Sequence, residues 1–369
     1  MKRFINIFVP VTTCNLRCTY CYIAQEGHFK NALPKFEFSA EHIGKALSVE
    51  RLGGVCHINI CGGGETLLPP EVTDIIHELL KQGHYIMIVT NGLVTKRFDE
   101  LLDFDETMLK RLGFKFSFHY LELKNKGLMS GFLTNIDKVK NKGCSFSVEM
   151  TPHDELIPYI NEIKDFCMEK FGALCHLTVA RNTQISSIPI LTKLSRDEYI
   201  KTWGVFNSPL FDFKMTTFNQ KRNEYCYAGM WSLWVNMGTG ESTQCYGGSY
   251  SQNVFDLSKE IVFLPVGKCT VPHCHNSHAL LTMGCIPEMD SPNYAIMRDR
   301  VTVDGSHWLN DEMRAFLEHK LVEENRILDD EEKTRLKKEL EKKVIFGKVS
   351  KGLKRVKAHL THRKTKKME

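Results

Sequence analysis

No apolar run in this chain approaches the length of a membrane-spanning helix, which argues against a helical integral membrane protein. A strong excess of charge is also lacking, because 49 basic and 44 acidic residues leave a modest net charge of +5. The basic start, Met1 to Arg3, resembles the first part of a signal peptide, but the apolar run after it is short and has no cleavage-like site. Without an export signal, 13 cysteines argue against a disulfide framework and predict a cytoplasmic protein whose thiols serve metal clusters.

Three cysteines, Cys14, Cys18 and Cys21, lie close together just after an apolar, β-branched run that reads as a buried strand. A [4Fe–4S] cube normally needs four protein ligands. A local triplet with no fourth cysteine nearby therefore indicates a cluster with one open iron, which can hold a ligand and pass an electron to it. The alternatives are a zinc site, which usually takes paired cysteine knuckles, or unrelated thiols.

A glycine-rich turn that ends in Gly63, Gly64 and Glu65 follows the next strand pattern. Glycines let the backbone approach a ligand closely, and the carboxylate after them can accept hydrogen bonds from an ammonium group. Cys-x3-Cys-x2-Cys with an aromatic residue before the last cysteine, followed one βα unit later by Gly-Gly-Glu, resembles the radical S-adenosylmethionine (SAM) superfamily. The resemblance implies that the triplet holds a [4Fe–4S] cluster and that Gly63, Gly64 and Glu65 bind the amino group of SAM.

Strand and helix patterns alternate from residue 4 to about residue 181. The predicted strands are 4–12, 57–61, 85–90, 114–120, 145–151 and 174–180. The predicted helices are 39–52, 70–82, 97–112, 130–142 and 154–171. Such repeats predict an α/β fold with a parallel sheet and right-handed crossovers. The resemblance implies a partial (β/α)6 TIM-like barrel over residues 1–182.

Five polar residues at or near the ends of the predicted strands are candidates for SAM contacts. Asn91 stands in an Asn-Gly pair, which also forms plain turns. Ser117 and His119 alternate with phenylalanines on the fourth strand and resemble positions that contact the ribose and carboxylate of SAM. Glu149 is the best ribose candidate, because a buried carboxylate needs a partner. Arg181 could hold the SAM carboxylate, a substrate anion or a surface salt bridge.

A second cysteine-rich block begins at Cys226 and gives the pattern Cys-x13-Gly-x4-Cys, which ends at Cys245. Residues 231–235 alternate as a strand, and Gly238 to Gly240 predict a hairpin turn. The pattern resembles the entry of SPASM and twitch domains, which carry auxiliary [4Fe–4S] clusters in radical SAM enzymes. We therefore predict an auxiliary domain over residues 226–290.

The later cysteines, Cys269, Cys274 and Cys285, do not follow the full SPASM motif. Too few remain for two fully ligated auxiliary clusters, so we predict one. Its ligands would be Cys226, Cys245, Cys269 and either Cys274 or Cys285. Zinc is the alternative, with His273 or His275 as an additional ligand. The remaining cysteines receive no role: Cys56, Cys61, Cys144, Cys167 and Cys175.

Two further regions complete the predicted organisation. Residues 183–225 read as a helical connection, and residues 291–369 read as a C-terminal region that is helical over 309–346 and basic from residue 335. The basic tail could be solvated, dock on an anionic membrane surface or bind nucleic acid.

The two cysteine blocks together predict an enzyme. The resemblance implies reductive cleavage of SAM to a 5′-deoxyadenosyl radical, which takes a hydrogen atom from a small molecule such as a sugar or cyclitol, or from a peptide. A low-potential donor similar to flavodoxin or ferredoxin would supply the electron. The alternatives are an RNA- or nucleotide-modifying radical enzyme and a non-catalytic iron–sulfur or zinc protein with a degenerate SAM site.

Overall fold

Six apolar strands form the centre of the molecule, and each is parallel to its neighbours. They are β1 (Arg3–Val9), β2 (Cys56–Gly62), β3 (Tyr85–Thr90), β4 (Leu112–Ser117), β5 (Ser145–Met150) and β6 (His176–Leu177). The computed structural model describes residues 1–269, 271, 274 and 277–346. The strands follow one another in chain order, as expected for repeated βα units, so the predicted α/β class and parallel barrel sheet are confirmed.

Helices lie between these strands, and the first of them lines a cavity inside the barrel. They are α1 (Tyr22–Gln25), α2 (Ala40–Ala46), α3 (Val49–Leu52), α4 (Glu71–Lys81), α5 (Thr95–Leu101), α6 (Glu106–Lys110), α7 (Tyr120–Asn125), α8 (Met129–Asn141) and α9 (Ile160–Phe171). Three predicted helices begin or break where a new cap or a proline intervenes. Ser48 caps α3, Asp105 caps α6, and Pro158 lies in a 3₁₀ turn before α9.

The fourth strand divides its side chains as the alternation predicts. Phe114 and Phe116 on β4, with Phe118 just beyond it, are at most 1% exposed and pack in the core beneath the helices. Lys115 and Ser117 point to the opposite face, which is the inside of the barrel. This alternation places polar groups where a ligand would be held.

The second half of the chain extends the barrel sheet rather than standing apart from it. After α10 (Arg196–Trp203) and α11 (Pro209–Thr217), strand β7 (Tyr225–Cys226) pairs with β11 (Gly267–Lys268). Strands β8 (Ser232–Asn236), β9 (Glu241–Thr243) and β10 (Ser251–Asn253) form an antiparallel meander. The predicted hairpin is present, but β8 also pairs in parallel with β1, a partner that a local pattern cannot reveal.

The C-terminal part returns to the barrel. It contains α12 (Ser277–Leu280), α13 (Asp311–Glu318) and a last helix over 330–346. The prediction of continuous helix over 309–346 is wrong at 319–329, where the chain forms a 3₁₀ turn and irregular structure. Trp308 packs against Phe146 of β5, with ring centroids 5.3 Å apart.

Within the described part of the chain, no helix is both long and apolar enough to cross a lipid bilayer. Residues 335–346 of the predicted basic tail belong to the last helix. The rest of the tail, from residue 347, lies outside the described residues, so its proposed partners stay predictions.

Candidate active site

A cavity of about 340 Å³ opens at the carboxyl ends of the parallel strands, where α/β barrels hold their ligands. Its walls include the cysteine triplet and every residue that the sequence predicted to contact SAM. These residues are Cys14, Cys18, Cys21, Gly63, Gly64, Glu65, Asn91, Ser117, His119, Glu149 and Arg181. Ligand cavities in proteins commonly measure about 300–1,000 Å³, so this one can hold a small-molecule cofactor.

The cysteine loop follows β1 and turns sharply at Arg17, whose φ of 58° lies in the left-handed region. Cys18 is 4% exposed, and burial raises its pKa to about 12. Burial also raises the pKa of Cys21, and the thiolate charges of Cys14, Cys18 and Cys21 would repel one another. Three thiols in one loop, of which Cys18 is buried and the other two are half-buried, therefore suit a cationic centre that replaces their protons.

A [4Fe–4S] cube is compatible with this arrangement. Among the described residues, no three cysteine, histidine or carboxylate side chains are grouped so that they could hold one metal ion. A [4Fe–4S] cluster binds its thiolates at different iron atoms, so its ligands need not meet at one point.

Glu65 is held rigidly at the cavity wall. It is 3% exposed, and one carboxylate oxygen accepts hydrogen bonds from the backbone N–H of Leu67 (3.0 Å) and the hydroxyl of Thr90 (2.6 Å). The other oxygen accepts from the N–H of Asn91 at 2.8 Å. Burial raises the pKa of Glu65, and these hydrogen bonds oppose that rise. A fixed carboxylate in this position is suited to receive an ammonium group.

Asn91 connects the end of β3 to the cysteine loop. Its side-chain amide donates to the carbonyl oxygen of the Asn15 side chain at 2.5 Å and lies 3.8 Å from the sulfur of Cys14. The following Gly92 has a φ of 76°, so the Asn-Gly pair is a true turn. The Asn91-Gly92 segment can therefore change the direction of the chain and still place the Asn91 side chain in the cavity wall.

His119 is joined to the cysteine loop through Tyr20. The hydroxyl of Tyr20 lies 2.6 Å from Nδ1 of His119, and its ring stacks on His153 with centroids 4.2 Å apart. Burial lowers the pKa of His119 to about 4, which keeps the imidazole neutral near pH 7. Tyr20 is the aromatic residue before the last cysteine of the triplet. Its contacts with His119 and His153 fix the cysteine loop against the rest of the cavity wall.

Glu149 has a partner that the sequence did not reveal. Its carboxylate accepts a hydrogen bond from the guanidinium of Arg298, a residue that is fully buried. Burial would raise the pKa of Glu149, but the positive charges of Arg298 and Lys115 hold it below its ordinary value. Glu149 still lines the cavity while it is paired with Arg298. Its predicted contact with the ribose of SAM stays a prediction.

Arg181 lines the cavity from the loop that follows β6. Its guanidinium stands 4.8 Å from the ring centroid of Tyr22, the residue after the triplet. The backbone carbonyl of Arg181 accepts a hydrogen bond from the side-chain amide of Gln25 at 3.0 Å. The loop after β6 is therefore attached to the helix that follows the cysteines.

Several cavity residues received no role from the sequence. Lys115 belongs to the polar face of β4, Lys214 lies on α11, and His278 lies on α12. Tyr246 follows Cys245 and accepts a hydrogen bond from Asn6 of β1 at 2.8 Å. The alternation on β4 could have indicated Lys115. The connection and the second cysteine block supply the other three residues, and neither region has a pattern that indicates an inward-facing side chain.

The second cysteine block gathers beside the same cavity. Burial raises the pKa of Cys226, and negative charge on Cys285, Cys245 or Cys274 would raise it further. Burial also raises the pKa of Cys245, and negative charge on Cys269 would raise it further. Cys274 also lines the cavity. The predicted alternatives His273 and His275 lie outside the described residues.

The fold and the site define a class of protein, an α/β barrel whose cavity combines three thiols with groups suited to a charged cofactor. Residues 8–155 match the family model of the Radical SAM superfamily. The matched segment contains both the cysteine triplet and the glycine turn, and this superfamily uses a [4Fe–4S] cluster and SAM.

The solved structures that match this chain share little sequence with it. SuiB from Streptococcus suis, bound to S-adenosylmethionine, is 15% identical with a TM-score of 0.48, and the match covers 69% of this chain and 64% of SuiB. The enzyme anSMEcpe with bound AdoMet is 17% identical, with a TM-score of 0.43 and coverage of 69% and 76%. BtrN in complex with AdoMet and 2-DOIA is 14% identical, with a TM-score of 0.34 and coverage of 88% and 90%. Among curated proteins, a sequence search finds no match.

Proposed function

We propose that this protein is a radical SAM enzyme that reductively cleaves SAM and abstracts a hydrogen atom from a substrate. One observation carries the proposal: the cysteine triplet, the glycine turn and five polar strand-end residues all line a single cavity. When bound, the [4Fe–4S] cluster and SAM supply a low-potential electron and a 5′-deoxyadenosyl radical.

The residues of the chain would orient and enclose these groups. Cys14, Cys18 and Cys21 would ligate the cluster, and Glu65 would accept hydrogen bonds from the SAM ammonium. Asn91 would fix the cysteine loop relative to β3, because its amide already bonds to Asn15. The apolar core beneath the cavity would exclude water from the radical.

The second cysteine block would hold one auxiliary [4Fe–4S] cluster through Cys226, Cys245, Cys269 and either Cys274 or Cys285. Electrostatic coupling among these sulfurs supports a shared site. Since Cys274 lines the SAM cavity, this cluster would lie close enough to the substrate to bind it or to accept its electron. The second role would make the net reaction an oxidation.

The setting of the enzyme is also part of the proposal. The 13 cysteines are free thiols, which favours a reducing compartment and hence the cytoplasm. A flavodoxin- or ferredoxin-like protein would donate the electron. The substrate would be a small molecule or a peptide.

The experiment is anaerobic assay of the reconstituted protein with SAM and a strong reductant. We expect 5′-deoxyadenosine and methionine in equal amounts, and neither from the same protein without iron. A cluster-loaded protein that binds no SAM and forms no 5′-deoxyadenosine would contradict the proposal and favour a degenerate site.

A further inference from the structure

A buried lysine lies inside the barrel without a direct ion-pair partner among the described residues, although the charge of Glu149 acts on it from farther away. Lys115 is 6% exposed and lines the cavity from β4. It lies one pleat below Ser117, at the floor rather than the rim. Within the ranges that the structure describes, its ammonium forms no hydrogen bond and has no carboxylate within 4.0 Å.

A second lysine lines the same cavity from a different element. Lys214 of α11 lines the cavity and donates a hydrogen bond to the hydroxyl of Thr178, just after β6. No carboxylate among the described residues lies within 4.0 Å of its ammonium either. Burial, followed by the positive charge of Arg181, lowers the pKa of Lys214 to about 7, so its charge is poorly compensated.

The acidic groups of the cavity are already committed to other partners. Glu149 is ion-paired with Arg298, and Glu65 accepts three hydrogen bonds beside the cysteine loop. Buried charges are costly unless they are paired. An anion that enters the cavity would therefore gain charge-assisted hydrogen bonds from both lysines.

We propose that Lys115 and Lys214 bind an anionic group of the substrate, a carboxylate or a phosphate, at the floor of the cavity. This inference rests on the proposed function, because it assigns the substrate class of the same site. A neutral sugar or an uncharged peptide segment would leave both lysines without a direct anionic partner.

Calorimetric titration of the cluster-loaded protein at low salt tests the assignment with pairs of probes that differ in charge. Glycerol 3-phosphate is compared with glycerol, and glutarate is compared with glutaramide. We expect the anionic member of one pair to bind at least about tenfold more tightly, as hydrogen bonds to charged groups imply. The pair that discriminates identifies phosphate or carboxylate.

Charge variants connect that preference to the two lysines. Lys115→Met should abolish the preference, Lys115→Arg should retain most of it, and Lys140→Met on the exposed face of α8 should retain all of it. Lys214→Met gives an independent test if Lys115→Met does not fold. Wild-type protein that fails to discriminate in both pairs would overturn the inference. An equal loss of SAM affinity in Lys115→Met would also overturn it, because Lys115 would then serve the cofactor.

The same preparation separates this inference from the proposed function. SAM cleavage by wild-type protein without anion preference leaves the proposed function standing and removes the lysine site. Anion preference without SAM cleavage would support the lysine site and contradict the proposed function.

Discussion

Replacing Cys14, Cys18 and Cys21 together by alanine is expected to reduce 5′-deoxyadenosine formation to the background of the assay. The three thiols lie in one loop at the end of β1 and line the cavity together, whereas the other described cysteines of the cavity wall, Cys61 and Cys274, belong to other segments. Without these ligands the SAM-binding cluster has no thiolates, and the electron has no route to the cofactor. The measurement is product formation by chromatography after anaerobic reconstitution.

The matched control for the triple variant is Cys144→Ala. Cys144 is 4% exposed and lies in the core, away from the cavity. It should retain nearly wild-type product formation, although its unfolding midpoint can fall. Iron content should decrease in the triple variant and not in the control. Persistent SAM cleavage by the triple variant would show that the cluster is held elsewhere.

Gly64→Ala is expected to lower the rate of SAM cleavage by about 100-fold, the loss that a misplacement of about 1 Å can cause. A Cβ atom at this position would overlap the backbone carbonyl of Thr13 and stand 2.7 Å from its carbon. Thr13 precedes Cys14, and its carbonyl accepts a hydrogen bond from the N–H of Glu65 at 3.0 Å. The methyl group would therefore separate the cysteine loop from the carboxylate that should hold SAM.

The control for Gly64→Ala is Gly131→Ala, in α8. A Cβ atom at Gly131 meets nothing within 4 Å, so this substitution should leave SAM cleavage unchanged and stabilise the helix slightly. SAM affinity, iron content and the unfolding midpoint distinguish a displaced loop from an unfolded protein. A Gly64→Ala variant within threefold of the wild-type rate would mean that the close contact with Thr13 is not needed.

Much of the barrel was predictable because its signals are local. Alternation on β4 separated the phenylalanines of the core from Lys115 and Ser117 of the cavity. The cysteine triplet and the glycine turn each follow a strand, and parallel strands bring such loops to one edge. Residues 8–155, which match the radical SAM family, are the part of the chain where the sequence was most informative.

The remaining features depend on contacts between distant residues. Arg298 meets Glu149 across 149 positions, and β8 pairs with β1 across more than 220. Neither contact follows from periodicity or composition. Lys214 lies on a helix in a segment without barrel repeats, so its approach to the cavity became visible only in the structure.

The most direct test of the account is the electron paramagnetic resonance spectrum of the reduced, reconstituted protein with and without SAM. The account predicts a spectrum that changes when SAM is added, because the cluster held by Cys14, Cys18 and Cys21 has an open iron that binds SAM. The change should be absent in the variant that lacks these three cysteines. A wild-type spectrum that stays the same at saturating SAM would contradict the claim that this cavity brings SAM to the cluster.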